Sequence, residues 1–268
     1  MCENTPALME SSAGLLTMPV TAFEAATAIV SAAAYVLVGA AALVRAPNDI
    51  RTRVFAVASL MMTPIYVIPA ALFLQARGTT HIATGRGLLA IMAVTSAVGV
   101  VALFHFMQVF PWRRPWTRKH RPLIAALYVV PTAAALLLAI AIPSNVEDLT
   151  LEYLLGLTAL ALPLLVLLAI VLPVAGLVSL YAGLRTAQKH RIEAARVPAL
   201  GIFVGQVAGG VLGILLAPLL RLRGVSDAFS AVVQALMFAF GLLTPIAFAA
   251  GVWKYGVLSL DVDQSPDA

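Results

Sequence analysis

Charge is scarce in this chain, and acid is scarcer than base. Only 11% of its 268 residues are charged, with 12 Asp or Glu against 17 Lys or Arg. So little charge, beside a hydrophobic fraction of 62% and a mean hydropathy of +0.99, excludes an ordinary water-soluble domain. A single cysteine, Cys2, excludes an internal disulfide and a thiolate metal cluster, so no metal site is expected. The zinc-binding H-E-x-x-H, the G-x-S-x-G elbow and the phosphate-binding glycine loop are all missing. Nothing therefore marks an enzyme of those chemistries, and no cofactor is expected. Residues 1–20 are acidic and lack the basic n-region of a cleavable signal peptide. No repeat on the scale of a membrane span is visible, which argues against an inverted-repeat transporter.

What the chain does hold is seven long apolar runs: Thr21–Val44, Val54–Gln75, Gly87–Phe110, Leu123–Ile142, Tyr153–Tyr181, Pro198–Leu220 and Phe229–Tyr255. Each is at or above the ~20 residues that a helix needs to cross a bilayer. Backbone amides in lipid must be satisfied within the segment, so runs of this length are helices. The expected fold is an all-α, polytopic seven-transmembrane helix bundle over 21–260. A 1–20 extracytoplasmic segment precedes it and a short polar tail, 261–268, follows.

Cations collect in alternate loops. Arg45, Arg51 and Arg53 follow the first run; Arg113, Arg114, Arg118, Lys119 and Arg121 follow the third; Arg185, Lys189, Arg191 and Arg196 follow the fifth; Lys254 closes the seventh. Cytoplasmic loops are the basic ones, which places the N-terminus outside and the C-terminus inside a bacterial inner membrane. Trp112, Trp116 and Trp253 fall at the same boundary, where indole rings prefer to sit. The net charge of +5 is thereby explained by lipid and topology, with no nucleic acid as partner.

Prolines inside the runs (Pro64, Pro69, Pro131, Pro163, Pro173, Pro218 and Pro245) predict kinks, because each removes an amide donor. Gly201, Gly205, Gly209 and Gly213 recur every four residues, with Gly210 beside them, and so form one groove on the sixth helix. Such a groove admits another helix to backbone contact, either within the bundle or across a homodimer.

Ionisable groups inside a span are costly and tend to be functional, and only Glu24 and His105 fall there. Glu24 reads as a snorkelling boundary carboxylate or as an anchor for a ligand amine. His105 reads as a hydrogen-bonded packing residue, and the lack of a second histidine within a span speaks against a bis-histidine haem. Neutral polar groups are more numerous: Tyr35, Tyr66, Ser96, Tyr128, Thr132, Gln206, Gln234 and Thr244. They make either interhelical hydrogen bonds of ~0.6 kcal/mol each or a pocket. Glu24, Tyr35, Tyr66, Ser96, Gln206 and Gln234 form the candidate ligand set. A retinal lysine is absent from mid-span, since Lys254 closes the seventh run. No acidic series crosses the membrane to relay protons.

Two stretches resemble a known family. Phe104-His105-Phe106 through Phe110-Pro111, ending the third run ahead of a basic loop, resembles the aromatic-rich close of helix three in bacterial seven-transmembrane sensor regions. Gly251 through Asp261, with Trp253-Lys254-Tyr255 and Leu258-Ser-Leu260-Asp261, is similar to the R-Y-x-L-x-D end of their helix seven. The loop from Tyr181 to Arg196 also fits their amphipathic basic connector. These regions stand at the N-terminus of some histidine kinases and diguanylate cyclases. The resemblance implies a non-enzymatic sensor with a ligand cavity towards the outside. Transmission would run through the inner helix ends, at His105, Gln108, Trp253, Lys254 and Tyr255, with Pro245 as a hinge. Family members continue into a PAS, kinase or cyclase domain, whereas a short polar tail follows Asp261 here. The expected output is therefore a cytoplasmic signalling protein acting in trans. The competing expectations are a small transporter or channel subunit for a neutral solute, and a structural subunit of a membrane complex.

Overall fold

The computed structural model describes residues 22–75, 82–141, 156, 161–211 and 227–261; the side chains at 22–25, 65–75, 82–86, 88–89, 211, 227–231 and 234 fall outside that set. The described residues are overwhelmingly helical and contain no strand. They form seven long helices: α1 (Ala22–Arg45), α2 (Ile50–Gln75), α3 (Ile82–Val109), α4 (Arg121–Ala141), α5 (Ala161–Lys189), α6 (Glu193–Val211) and α7 (Asp227–Trp253). A short helix, Pro115–Lys119, joins α3 to α4, and a 3-10 turn, Val257–Ser259, follows α7. Five helices (α1, α3, α4, α5 and α7) contain stretches long and apolar enough to cross a membrane. The chain has the architecture of an integral membrane protein.

Helix ends depart from the apolar runs where polar residues continue the backbone ladder. α2 begins at Ile50 and α6 at Glu193, four and five residues before the runs that announce them. Hydropathy registers contact with lipid, whereas a helix stops where its terminal amides find a cap.

The helices close into a ring, α1 on α2, α2 on α3, α3 on α5, α5 on α6, α6 on α7 and α7 back on α1. α4 stands outside that ring and packs on α3. Helices in lipid gain little from the hydrophobic effect between them, so close packing must hold the ring. Gly201, Gly205 and Gly209 of α6 all face α7. A Cβ at Gly201 would lie 2.6 Å from the Ala247 Cβ, and one at Gly205 would lie 3.0 Å from the Phe240 carbonyl oxygen. The groove is filled inside the bundle by its neighbour; Gly213 lies outside the described residues.

α2 runs on through Pro64 and Pro69 without a break. The visible backbone response to proline is in α5, where Leu167–Val171 form a π-turn just before Pro173 and the Leu172 amide bonds five residues back to the Leu167 carbonyl. Proline lacks the amide that would continue the ladder, and a wider turn accommodates its ring.

Burial concentrates at one end. Phe55, Phe106, Phe110 and Phe248, from α2, the end of α3 and α7, form an aromatic cluster with ring centroids 4.1 Å (Phe55–Phe248), 5.1 Å (Phe55–Phe106) and 5.2 Å (Phe106–Phe110) apart. Tyr35, Ala42, Leu180, Leu184, Ile202 and Val257 extend the same core. This is the end at which the arginine-rich connections gather, and it is called the basic end below.

Candidate functional site: the junction at the basic end

The turn Ala46–Asp49 links α1 to α2, with the Asp49 amide donating to the Ala46 carbonyl at 3.1 Å. Asp49 then caps α2: its Oδ1 accepts the Arg51 amide at 2.8 Å, the bond an N-cap makes to the second helical residue. Thr52 reinforces the turn by donating its hydroxyl to the Ala46 and Asp49 carbonyls.

Arg51 follows from that cap. Its side chain is 1% exposed and turns into the junction. Nε donates to both Asp49 carboxylate oxygens, at 3.0 and 3.2 Å, and Nη2 meets Oδ2 at 2.6 Å. Nη1 donates to the Pro111 carbonyl at 3.1 Å and to the Val257 carbonyl at 2.9 Å. Nη2 also donates to the carbonyls of Leu258 (3.3 Å) and Leu260 (3.1 Å). A guanidinium has five N–H donors in a fixed fork. All of them are engaged, so Arg51 ties the start of α2, the end of α3 and the segment after α7 to one point.

Glycine makes the last of these attachments possible. Gly256 has φ +67°, a left-handed conformation that residues with a Cβ rarely adopt. It reverses the chain after α7 into the 3-10 turn, which buries Val257 completely and aims its carbonyl at Arg51. Leu260 packs with Trp112, Ala187 and Ala195 in a satellite cluster.

The end of α3 is fastened separately. Gln108 is buried; its Oε1 accepts the Trp116 indole N–H at 3.1 Å, and its Nε2 donates to the Ala175 carbonyl of α5 at 3.4 Å. Arg114 donates Nε to Ser179 Oγ at 2.9 Å and Nη2 to the Ser179 carbonyl. Burial lowers the Arg114 pKa below the usual guanidinium value. A Cβ at Gly183 would sit 3.0 Å from Pro111 Cδ, so α5 is close against the same corner. Beside Arg51 a cleft of about 540 Å³ opens, lined by Asn48, Asp49, Ile50, Arg113, Leu258 and Leu260 among others.

No family model, curated protein or solved structure was found to match this chain. The functional reading therefore rests on the residues themselves.

Of the transmission set, Gln108 is at the junction, and Trp253, Lys254 and Tyr255 lead into the Gly256 turn. The Lys254 ammonium lies 5.4 Å from the Tyr255 ring centroid, and Trp253 is 45% exposed. His105 shares a 3.3 Å hydrogen bond with Tyr128 of the outlying α4. Pro245 is buried in α7, next to Thr244, which accepts a 2.9 Å bond from Gln206. Three side chains of the candidate ligand set are described. The Tyr35 hydroxyl donates to the Gly241 carbonyl at 3.2 Å, Gln206 is joined to Thr244, and Ser96 bonds back to the Met92 carbonyl within α3. The side chains of Glu24, Tyr66 and Gln234 lie outside the described residues.

Trp112 is 6% exposed within the satellite cluster, so its indole packs between helix ends. Arg51 and Asp49 carry the junction although composition presents Arg51 as one loop cation among many. The available signal was local: an acid two positions ahead of an arginine, behind Pro47-Asn48, is the mark of a capped helix start. Chemically the junction is a guanidinium whose donors are all met by a carboxylate and backbone carbonyls. It is a mechanical joint.

Proposed function

We propose that all seven long helices cross the membrane with the basic end cytoplasmic, and that the protein is a sensor or receptor-like module. It binds a small or lipid ligand in the bundle and signals to a cytoplasmic partner. At ~1.5 Å per residue, the 26 residues of α2 extend about 39 Å and suffice for a crossing. The alternating cationic loops supply the orientation.

One observation carries the signalling reading. The two stretches that resemble a sensor family, Phe104–Pro111 and Gly251–Asp261, meet at a single buried guanidinium. Rearrangement of the helices then reaches the Val257–Asp261 segment through Arg51, and ligand acts by its differential affinity for two helix arrangements. A transporter reading has less support, because the described mid-helix polar groups are bonded to one another and to backbone.

The test is purification of tagged protein from native membranes with mass spectrometry of retained proteins, alongside solute flux in proteoliposomes. A kinase, cyclase or response regulator held by wild type and lost from Arg51→Gln at equal expression supports the proposal. Flux without such a partner replaces it with the transporter.

A further inference from the structure

The inward faces of α1, α6 and α7 hold polar groups on the far side of the aromatic cluster from the basic end. Ser31 and Tyr35 stand one turn apart on the buried face of α1, opposite Leu37, which is 68% exposed. Tyr35 stacks towards Phe55, with ring centroids 6.2 Å apart, and donates its hydroxyl to the Gly241 carbonyl. Ser31, a turn further from the basic end, is 6% exposed, and its hydroxyl has no partner among the described residues. On α6, Ile202, Gln206 and Gly210 recur every four residues along one side. Ile202 belongs to the core, and one end of the Gln206 amide is joined to Thr244. The other end has no partner among the described residues. A Cβ added at Gly210 or at Gly241 would meet nothing within 4 Å among those residues. Open space therefore adjoins two unmatched hydrogen-bonding groups, which the fold leaves to a ligand.

Access to this space is from the side. Leu177 of α5 packs on the core, and Tyr181 meets Phe203 of α6 with ring centroids 5.7 Å apart. On the Leu177 face, two and three turns further from the basic end, Ile170 is 55% and Val166 41% exposed. None of residues 161–171 is buried, whereas Leu172, Gly176, Leu180 and Leu184 are. The change falls at the π-turn Leu167–Val171, beyond which α5 stands off from α6. Gly210 lies two turns from Phe203 on the same α6 face, so the missing side chain is on the side from which α5 departs. Such an opening gives onto hydrocarbon and admits a lipid-soluble molecule.

Charge narrows the class. No Asp, Glu, Lys or Arg occurs in 25–44, 54–75, 87–112, 153–184, 197–220 or 228–253. An ionic head drawn into these walls would be buried without a counter-charge, so the occupant is neutral.

We infer that the space between α1, α6 and α7 binds an uncharged lipid with a hydroxylated head, of the monoacylglycerol kind. The head hydroxyls meet Ser31 and Gln206, and the chain leaves past Gly210, between α5 and α6, into the bilayer. The site rests on the ligand-binding reading proposed for the bundle and gives that ligand a chemical class.

The test is photolabelling of the full chain in phosphatidylcholine nanodiscs, with a monoacylglycerol that carries a diazirine in its acyl chain. Peptides holding Ile170 and Gly210 should label saturably, while the lipid-facing side of α4 takes up label only in proportion to dose. Unlabelled monoacylglycerol should compete, and the fatty acid and alkylammonium of equal chain length should not. Ser31→Ala loses one hydrogen bond to the head, so the competing concentration rises roughly five-fold. Gly210→Leu fills the open space and abolishes saturable labelling; if that variant fails to fold, Ser31→Ala, which removes a single oxygen, still decides. Dose-proportional labelling throughout, or unchanged competition in Ser31→Ala, overturns the site. Equal competition by the fatty acid overturns the neutral class, and competition by the alkylammonium does so in favour of the Glu24 carboxylate. A cytoplasmic partner captured without saturable labelling would keep the sensor and remove this site; saturable labelling without a partner would do the reverse.

Discussion

Asp49 does two jobs that substitution can separate. Its Oδ1 caps α2, and its carboxylate neutralises a guanidinium that is 1% exposed. Asp49→Asn keeps a good cap and removes the charge. Breaking one side of a buried pair costs ~3–5 kcal/mol, and the lower end applies because Asp49 itself is 14% exposed. Asp49→Ala loses the cap as well, for about 1 kcal/mol more. The expected order is therefore wild type, then Asn at about 3, then Ala at about 4 kcal/mol below it. Arg51→Met is damaging in a different way, since it takes the guanidinium donor from the buried Pro111 carbonyl, at ~1–3 kcal/mol, and leaves the Val257 carbonyl with the Leu260 amide as its donor. The double variant Asp49→Asn/Arg51→Met should fall short of the summed losses by at least about 1 kcal/mol, because the second change removes a pair already broken. Equilibrium unfolding in mixed micelles gives the free energies. Hydrogen exchange at the Leu260 amide, which bonds to the Val257 carbonyl, reports local release. If both Asp49 variants lie within about 0.5 kcal/mol of wild type and Leu260 exchange is unaltered, the junction does not hold the segment after α7.

The glycine groove gives a graded test by the same unfolding measurement: Gly201→Ala and Gly205→Ala should each cost ~1–3 kcal/mol by forcing α6 from α7, whereas Gly210→Ala, with open space at its Cβ, should be neutral or stabilising by up to ~1 kcal/mol. Arg113 and Arg114 should part company under charge reversal. Arg114→Glu breaks both bonds to Ser179 and lowers stability by about 1.5–3 kcal/mol, while Arg113→Glu stays within about 0.5 kcal/mol. Arg191, after α5, has φ +56° where glycine is usual, so Arg191→Gly should raise stability by ~1 kcal/mol in the same assay.

Helices were legible because lipid imposes a length and forbids charge, and both constraints can be read residue by residue. Their ends were less so, since Arg51-Thr52-Arg53 is helical without being apolar. The α6 groove was legible for an unusual reason: close packing requires missing side chains, and glycines at a spacing of four record the absence directly. Its occupant was not, because Ala247 and Thr244 carry no mark that distinguishes them from other small residues on α7. The faces on which the candidate ligand residues lie were not legible. A helix that is apolar all round does not reveal which face looks inward, so Tyr35 and Gln206 could not be assigned to a cavity or to a neighbour. The structure joins them to Gly241 and Thr244. Arg51 was hidden by arithmetic, for a buried arginine and a loop arginine contribute equally to a charge count.

The location of the joint constrains how movement can pass through this molecule. Five donors hold three chain segments at distances of 2.6–3.3 Å, so none of the three can shift by much more than an ångström while the others stay. The aromatic cluster of Phe55, Phe106, Phe110 and Phe248 joins the same three elements one layer further in, and close-packed rings resist continuous deformation. A displacement of α2 against α7 at this corner must break the Arg51 bonds together, which is a discrete change and not a graded one. α4 lies outside the joint and meets α3 through the His105–Tyr128 bond and apolar contact. Motion that begins at α4 reaches the joint through α3 and the short helix, where Gln108 and Arg114 have already tied α3 and its exit to α5.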